Sequence, residues 1–319
     1  GNEDDRRQLL VAASEAGADW IDVEADVAAT LPMRGSARRL VSVHDFDVTP
    51  EDLPGLLEAL RKLPGDVVKI AVMPRGFDDV LRVLDAAKTA DFPAICLSMG
   101  NMGGITRVLA GRYGAPWTYA APDVGVIAAP GQYRLRTLRR VLRYHRISAT
   151  TRLFGLLGDP VAHSLSPHVH NAAFELLDLD AAYLALRIPS PDLRGAVRRL
   201  ESHGFAGFSV TIPHKQRIGS QADGADAIVR AADATNTLVL RPDPDAARWW
   251  ATNTDLPAAV AAIGHAVGGT DRLEGKTVLV LGAGGVASAA ALGLTHAGCR
   301  ITVTARRVEQ SRALAQRVG

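Results

Sequence analysis

The sequence predicts an α/β protein built on parallel sheets. Short aliphatic runs alternate with amphipathic stretches along the first half, as in consecutive βα units. Near the C-terminal end, an aliphatic run leads into a glycine-rich turn and then a helix of small residues. With 319 residues, of which 47% are hydrophobic and 22% charged, the chain is long enough for two domains with their own cores.

The first part of the chain predicts five βα units. Candidate strands are Ala18–Glu24, Leu40–Phe46, Asp66–Val72, Ala94–Gly100 and Trp117–Ala121. Helical patterns lie around them at Arg6–Ala16, Thr49–Leu63, Phe77–Ala90 and Leu135–His145. Thr49 is a candidate N-cap, followed by Pro50 at N1. Because a TIM (β/α)8 barrel has eight such units, the pattern predicts a partial barrel made of its last five units.

The rest of the chain predicts two further segments after a polar link at Arg146–Arg152. We expect the barrel over residues 1–148, an α/β substrate domain over 152–256 and a truncated Rossmann domain over 257–319. Leu153–Gly158 reads as the first strand of the substrate domain. The Rossmann segment is predicted to contain a strand, a helix and a second strand, at Thr277–Leu281, Ser288–Ala297 and Arg300–Thr304. Both ends look cut, which predicts an internal fragment of a longer protein.

Composition excludes several classes of function. The net charge of +2 is spread along the chain, so the sequence lacks the basic patch that is typical of nucleic-acid binding. No apolar run approaches the ~18 residues that span a bilayer, and no signal peptide is visible. Two distant cysteines, Cys96 and Cys299, predict a reduced cytoplasmic protein. His163, His168 and His170 lack a cysteine or acidic partner, so no metal site is predicted, and the oligomeric state is left open.

Lysine is used sparingly. Only five of the 36 basic residues are lysines, and two of them, Lys69 and Lys215, adjoin strand-like aliphatic runs. Arginine keeps its proton at all workable pH values, whereas an amine can react in its neutral form. This placement indicates that an amine is required at both positions.

The glycine-rich turn fits the dinucleotide fingerprint G-x-G-x-x-A in the expected strand–turn–helix context. Its residues are Gly282, Ala283, Gly284, Gly285, Val286 and Ala287. After the next strand stands Arg306, where an NAD site has a carboxylate. A guanidinium there suits a 2′-phosphate, so NADP(H) is predicted over NAD(H). The alternatives are a tight turn that needs glycine and an ordinary surface arginine.

The second half resembles the shikimate dehydrogenases, which reduce 3-dehydroshikimate with NADPH. The resemblance rests on five stretches in family order. They are Gly158–His168, Gly207–Lys215, Ala234–Leu238, Thr252–Asp255 and the fingerprint. Thr235 departs from the usual apolar residue before Asn-Thr.

That resemblance implies roles for six residues. Lys215 and Asp255 would form the polar pair at the reacting carbonyl. Ser164 and Ser166 would bind the substrate carboxylate, and Thr211 and Asn236 would hold ring hydroxyls. The alternatives are a helix N-cap at Ser-Leu-Ser-Pro and a surface lysine at position 215.

The first half resembles type I 3-dehydroquinate dehydratase. The resemblance rests on Val41–Phe46, Val68–Ala71, Ser98–Gly103 with Arg107, and Ala129–Gln132. It implies that Lys69 forms an imine with 3-dehydroquinate and that His44 shuttles protons.

The same resemblance assigns the supporting residues. Glu24 would orient His44, Arg107 would clamp the substrate carboxylate and Gln132 would donate a hydrogen bond across the mouth. Ala128 stands where that family usually has a serine, so one substrate hydroxyl contact is expected to be missing. A histidine packed in a core or loop and a lysine reaching solvent are the alternatives for His44 and Lys69.

Together the halves predict two consecutive steps on one chain, since dehydration of 3-dehydroquinate yields the 3-dehydroshikimate that the second half would reduce to shikimate. Small-molecule substrates are thus the expected partners. Two alternatives stay open: a non-catalytic regulator that senses quinate or shikimate, and a dehydrogenase that prefers quinate. From the incomplete barrel, we expect the fragment alone to be marginally stable and of doubtful activity.

Overall fold

The computed structural model describes residues 3–32, 35–242 and 248–319. The chain falls into two compact units. The first unit consists of Gly1–Leu153 and Ser164–Asp192, and the second consists of Phe154–His163 and Leu193–Gly319. These units are defined by contacts between residues, whereas the three predicted domains are defined by sequence motifs. The predicted domain ranges therefore stay a prediction.

The first unit contains a parallel four-stranded sheet in the order β1-β2-β3-β4. Its strands are β1 (Trp20–Glu24), β2 (Arg38–Asp45), β3 (Val67–Val72) and β4 (Ala94–Ser98). The helices around it are α1 (Glu3–Glu15), α2 (Ala25–Ala28), α3 (Leu53–Arg61), α4 (Phe77–Thr89) and α5 (Gly100–Leu109). These four strands confirm the first four strand predictions, with ends shifted by up to two residues.

Alternation along these strands gives the sheet two different faces. One face packs against the helices in an aliphatic cluster that includes Val41, Ile70 and Leu57. The opposite face, here called the inner face, carries Leu40, Val67, Ala71, Ile95, Leu97 and Met99, together with Trp20, Met73, Trp117 and Tyr119. Because register partners in a parallel sheet share a face, the strand register decides which polar side chains join this inner cluster.

Two predicted elements after β4 take another form. Trp117–Ala121 is not a strand, since its only ladder contact among the described residues is one bridge from Ala121 to Arg134. Its aromatic side chains pack on the inner face instead, so they are removed from water although the backbone pairs with no strand. The predicted helix Leu135–His145 is reduced to a π-helical turn at Thr137–Val141 and a 3₁₀ turn at Tyr144–Arg146.

Helix α3 begins later than the sequence pattern predicts. Asp52, not Thr49, is its N-cap, and its Oδ1 accepts the Gly55 amide at 2.8 Å. The Thr49 hydroxyl donates to the Met73 carbonyl at 3.0 Å. The N-cap prediction at Thr49 was therefore wrong, because a tertiary acceptor competes for that hydroxyl.

We expect Asp52→Ala to destabilise the first unit by about 1 kcal/mol, since it leaves an amide of the first helical turn without its partner. Urea unfolding of the chain measures this difference. Thr49→Ser keeps the hydroxyl and serves as the comparison. An unchanged unfolding midpoint for Asp52→Ala would show that the cap contributes nothing.

The second sheet has six strands in the order β6-β5-β7-β9-β10-β8. They are β5 (Arg152–Gly158), β6 (Ala181–Arg187), β7 (Phe205–Val210), β8 (Gly224–Ala225), β9 (Thr237–Leu240) and β10 (Trp249–Thr252). Strand β9 is antiparallel to β7 and β10, and β10 is parallel to β8. Phe208 stacks between Phe205 and Trp249, with ring centroids 5.4 and 5.5 Å away, which fixes the end of β7 on a buried aromatic row.

The remaining elements include a parallel pair, β11 (Thr277–Leu281) and β12 (Arg300–Thr304). Both strands confirm their predicted bounds. The helices are α6 (Ser166–Leu176), α7 (Ala196–Ser202), α8 (Ala227–Ala232), α9 (Asp255–Ala266), α10 (Gly285–His296) and α11 (Val308–Val318). Across the described residues, every helix is too short or too polar to cross a membrane.

Candidate functional site

Lys69 lies in the middle of β3 on the inner face, in register with Ser42 of β2 and Ile95 of β4. Only 6% of the residue is exposed. Its Nζ donates to Asp22 Oδ2 at 2.5 Å and lies 4.9 Å from the centre of the Tyr119 ring. The ammonium is thus held by one carboxylate and one aromatic face, in a position with little solvent.

His44 and Glu24 join Lys69 on the inner face. Glu24 pairs in register with Ser42, and His44, two residues further along β2, pairs with Ala71. The His44 Nδ1 atom contacts Glu24 Oε1, and the ring stacks on Phe46 with centroids 6.0 Å apart. A carboxylate on Nδ1 fixes the ring orientation and leaves Nε2 for proton transfer. The structure brings together on one face the three residues that the sequence predicts.

Asp22 is a polar partner that the sequence prediction missed. It stands two residues before Glu24 in β1, so strand alternation places both carboxylates on the same face. That spacing was a usable signal, because β1 otherwise offers aliphatic side chains at Ile21 and Val23.

Arg107, near the end of α5, is 2% exposed. Its Nη1 donates to the Ser98 carbonyl at 2.8 Å, while its Nε is buried without a hydrogen-bond partner among the described residues. Burial lowers the pKa of the Arg107 guanidinium, and the neighbouring Tyr133 hydroxyl acts against that shift. Burial in turn raises the pKa of Tyr133, and the Arg107 guanidinium acts against that shift.

Gln132 lies in a loop that docks on the start of α5. The Gly100 amide donates to the Pro130 carbonyl at 3.1 Å, and Gly131 adopts a φ of 79° where its α-carbon faces the Gly100 backbone. Only glycine accepts both the positive φ and that approach. The Gln132 Oε1 atom is buried and has no partner within the described part of the chain, whereas Ala128 is exposed.

In the second unit, Lys215 and Asp255 form an ion pair, with Nζ 2.6 Å from Oδ2. Their side chains are 13% and 23% exposed. Asn236 Nδ2 donates to the other oxygen of Asp255 at 2.9 Å and to Thr254 Oγ1 at 2.9 Å. The Thr254 amide donates back to Asn236 Oδ1 at 2.9 Å. The carboxylate therefore has partners on both oxygens, which holds the ammonium in one place.

Backbone contacts fix the segments that carry this network. The Thr235 amide donates to the Lys215 carbonyl at 2.7 Å. Asn253, which the sequence prediction missed, donates to the Ala234 carbonyl at 2.8 Å and accepts the Asp255 amide at 2.9 Å. Thr211 joins β5 through its amide, which donates to the Leu157 carbonyl at 2.9 Å. Asn253 stands two residues before Asp255, a spacing typical of side-chain caps at a helix start.

Ser164 and Ser166 belong to the first unit. The Ser164 hydroxyl contacts Ser166 Oγ at 3.0 Å and accepts the Ser166 amide at 3.1 Å, at the beginning of α6. Both hydroxyls are half-buried. The N-cap residue of α6 is Leu165, and the helix start has no side-chain cap hydrogen bond, so neither serine is the N-cap. The two hydroxyls stand side by side, as a carboxylate site requires.

The fingerprint residues form the turn between β11 and α10. Gly282 has a φ of 118°, and its amide donates to the Thr304 carbonyl at 2.7 Å. A Cβ atom at Gly282 or Gly284 would meet nothing within 4 Å, so these glycines leave the backbone open to a ligand. Arg306 is exposed just after β12. An open turn, a helix N-terminus and this arginine fit a dinucleotide with a 2′-phosphate.

Ala283, Val286 and Ala287 complete the fingerprint. Ala283 and Ala287 pack on the small-residue cluster under α10, whereas Val286 is 53% exposed. The two alanines thus keep the helix close to its sheet, and Val286 borders the open side of the turn.

Gly285 contacts the candidate catalytic lysine. A Cβ atom there would lie 3.0 Å from Lys215 Cβ, 3.3 Å from Lys215 Cδ and 3.5 Å from Ala234 Cβ. Because these distances are shorter than most real Cβ contacts, a side chain at this position requires Lys215 to shift by a few tenths of an ångström. The first residue of α10 therefore packs on the stem of the lysine.

The resemblance implies that Lys215 and Asp255 serve a carbonyl reduction. On that expectation, Gly285→Ala lowers the turnover number about tenfold, since it shifts Lys215 relative to Asp255. Steady-state kinetics on the full chain, varying substrate and NADPH in turn, measures the effect. Gly284→Ala adds the same methyl group where nothing lies within 4 Å. If both variants weaken only NADPH binding, the contact with Lys215 has no kinetic role.

Within the described ranges, no group of three or more histidine, cysteine, aspartate or glutamate side chains is arranged to hold a metal ion.

Both halves of the chain match known protein families. Residues 1–149 match the model of type I 3-dehydroquinase, and residues 156–238 match the shikimate dehydrogenase substrate binding domain. The chain is 33% identical to the bifunctional 3-dehydroquinate dehydratase/shikimate dehydrogenase of Arabidopsis thaliana, a chloroplastic protein. That alignment covers 100% of this chain and 55% of the relative.

Two other relatives are similar over all or half of the chain. The shikimate biosynthesis protein AroDE of Chlamydia pneumoniae is 26% identical over 97% of this chain and 64% of its own length. The shikimate dehydrogenase (NADP(+)) of Syntrophobacter fumaroxidans is 40% identical over 52% of this chain and 54% of its own length.

The chain spans between half and two thirds of the length of these relatives. The order of the two matched segments is that of the bifunctional proteins, with the dehydratase segment first. The first half of the chain is therefore similar to the type I 3-dehydroquinases and the second half to the shikimate dehydrogenases, in the order of the fused proteins.

Proposed function

We propose that the first unit dehydrates 3-dehydroquinate through an imine on Lys69. The observation that carries this proposal is the buried Lys69 ammonium, paired with Asp22 on the same face as the His44–Glu24 pair. An amine in a position of low exposure, with a proton acceptor beside it, suits attack on a ketone. A histidine oriented by a carboxylate suits proton removal next to the iminium and return of that proton to the departing hydroxyl.

Arg107 and Gln132 supply the substrate contacts in this proposal. The Arg107 guanidinium offers a fixed cation for the substrate carboxylate, since its Nη1 is already anchored on the Ser98 carbonyl. The amide of Gln132, held by the loop that docks on α5, suits a ring hydroxyl. Arg107 therefore sets the orientation and Lys69 forms the bond.

We also propose that Lys215 and Asp255 serve the reduction of 3-dehydroshikimate to shikimate. NADPH, when bound at the fingerprint turn, supplies the hydride. Lys215 holds a proton at Nζ near the developing alkoxide, and Asp255 and Asn236 hold that ammonium in place. Ser164 and Ser166 are the proposed contacts for the substrate carboxylate, and Thr211 for a ring hydroxyl. Gly282 to Ala287 and Arg306 are the proposed nucleotide contacts.

Both cysteines are free and buried, which supports the reducing, cytoplasmic location that we propose. Burial raises the pKa of the Cys96 thiol to about 12, so this side chain stays a neutral part of the core. The proposed partners are small hydroxylated acids.

Borohydride trapping tests the dehydratase proposal. The full chain is mixed with 3-dehydroquinate, sodium borohydride is added, and the intact mass is measured. The proposal predicts a stable mass increase equal to one reduced adduct, mapped by peptide digestion to Lys69. Binding of the substrate without any trapped adduct would contradict the proposal and would favour the non-catalytic sensing alternative.

A further inference from the structure

Ser42 has a buried hydroxyl that the proposed mechanism does not use. The residue is 1% exposed, and its Oγ has no hydrogen-bond partner within the described residues. It stands in one row of the inner face between Glu24 of β1 and Lys69 of β3. An unpaired hydroxyl thus lies between two residues of the candidate site.

The Lys69–Asp22 pair explains why Ser42 is covered. Asp22 belongs to β1 and Lys69 to β3, with β2 between them, so their α-carbons lie about 9–10 Å or more apart, two strand spacings. Since Nζ is 2.5 Å from Asp22 Oδ2, the Lys69 side chain must cross β2 on the inner face. Ser42 is the β2 residue in register with Lys69, so the crossing begins beside Ser42 and ends in the row of Leu40 and Asp22.

Stability gives no reason for a hydroxyl at this position. A buried hydroxyl without a partner costs free energy relative to an alanine methyl group of similar shape. Besides His44 and Lys69 of the candidate site, the inner-face residues Leu40, Val67 and Ala71 of β2 and β3 are apolar. What distinguishes Ser42 is its place beside Lys69, where its hydroxyl can accept a donor that arrives when Lys69 moves.

We propose, on the basis of the proposed imine chemistry, that Ser42 is a positioning residue for Lys69 in its bonded state. Formation of the imine releases one water molecule, which takes two of the three Lys69 ammonium protons. Asp22 accepts and passes on the first proton, and His44 transfers the second. The neutral nitrogen forms the C–N bond, the carbonyl π pair moves to oxygen, and that oxygen departs as water. The third proton stays on the iminium nitrogen, which has left Asp22 and donates to Ser42 Oγ.

This arrangement fixes the plane of the imine. A single N–H donor on the iminium has one acceptor beneath it on β2, so the adjacent carbon turns toward the His44 ring on the same face. Without the hydroxyl, the iminium N–H loses the acceptor that lies beside it on β2.

Ser42→Ala tests the proposal, with Ser98→Ala as the matched control. Ser98 is also fully buried with an unpaired Oγ, but its register with Val72 places it on the helix-facing side of the sheet. We expect Ser42→Ala to slow borohydride trapping at saturating 3-dehydroquinate about tenfold, the effect of one hydrogen bond to a charged group. The half-saturating substrate concentration stays unchanged, and the thermal midpoint is equal to or above that of the natural sequence.

The outcomes separate the inference from the function it rests on. If the natural sequence traps no adduct, the dehydratase proposal itself is wrong. If it traps an adduct and Ser42→Ala does so at the same rate as Ser98→Ala, the function stands and the role of Ser42 is wrong. A lower thermal midpoint for Ser42→Ala would assign the hydroxyl a structural role and also overturn the inference.

Discussion

Replacing Lys69 with methionine lowers dehydration of 3-dehydroquinate on the order of 10⁴-fold or more, the loss expected when a covalent catalytic group is removed. Methionine keeps most of the side-chain volume in a position that is 6% exposed, so the core around β3 stays filled. The remaining partner, Asp22, has a side chain that is 40% exposed and can be solvated. Activity is therefore lost with little change in stability, as measured by the appearance of the conjugated product and by thermal unfolding.

Lys62→Met is the matched control, since Lys62 is exposed at the end of α3. It should keep full turnover. Residual dehydration in Lys69→Met within tenfold of the natural sequence would mean that the reaction does not pass through an imine on this lysine.

The second large effect is expected at Lys215. Lys215→Ala lowers reduction of 3-dehydroshikimate by about 10²–10⁴-fold, the range for loss of a positioned general acid. Its removal also leaves Asp255 without its cation, although Asn236 still donates to Asp255 Oδ1. The carboxylate then has one partner and the carbonyl oxygen has no proton donor. Oxidation of NADPH at saturating substrate measures the loss.

Lys276→Ala provides the comparison, because Lys276 is exposed next to β11 and also belongs to the second unit. Equal losses in both variants would point to a general effect of charge on substrate attraction. A selective loss in Lys215→Ala, with NADPH binding retained, places the effect on proton donation.

Much of the candidate site follows from sequence because strand alternation is strict. Once β1, β2 and β3 are recognised as parallel neighbours, Glu24, His44 and Lys69 must share a face. The strands of the nucleotide segment were equally predictable, because an aliphatic run directly before a glycine-rich turn is typical of a buried strand. Local patterns of this kind depend on residues that are close in sequence.

The missed features depend on contacts between distant residues. The Lys69–Asp22 pair joins positions 47 residues apart, and the contact of Gly285 with Lys215 appears only when two segments pack. The same reason explains the wrong N-cap at Thr49, whose hydroxyl has a tertiary acceptor in Met73. A strand was predicted at Trp117–Ala121 because its aromatic residues fit a strand, but pairing requires a neighbour that the pattern does not reveal.

A coupled assay on the full chain tests the central claim most directly. The chain receives 3-dehydroquinate and NADPH, and NADPH absorbance is followed. The account predicts oxidation that is lost in Lys69→Met and falls by about 10²–10⁴-fold in Lys215→Ala. Oxidation returns in Lys69→Met when 3-dehydroshikimate is supplied. Absence of NADPH oxidation with both substrates, in a chain that binds them, would contradict it.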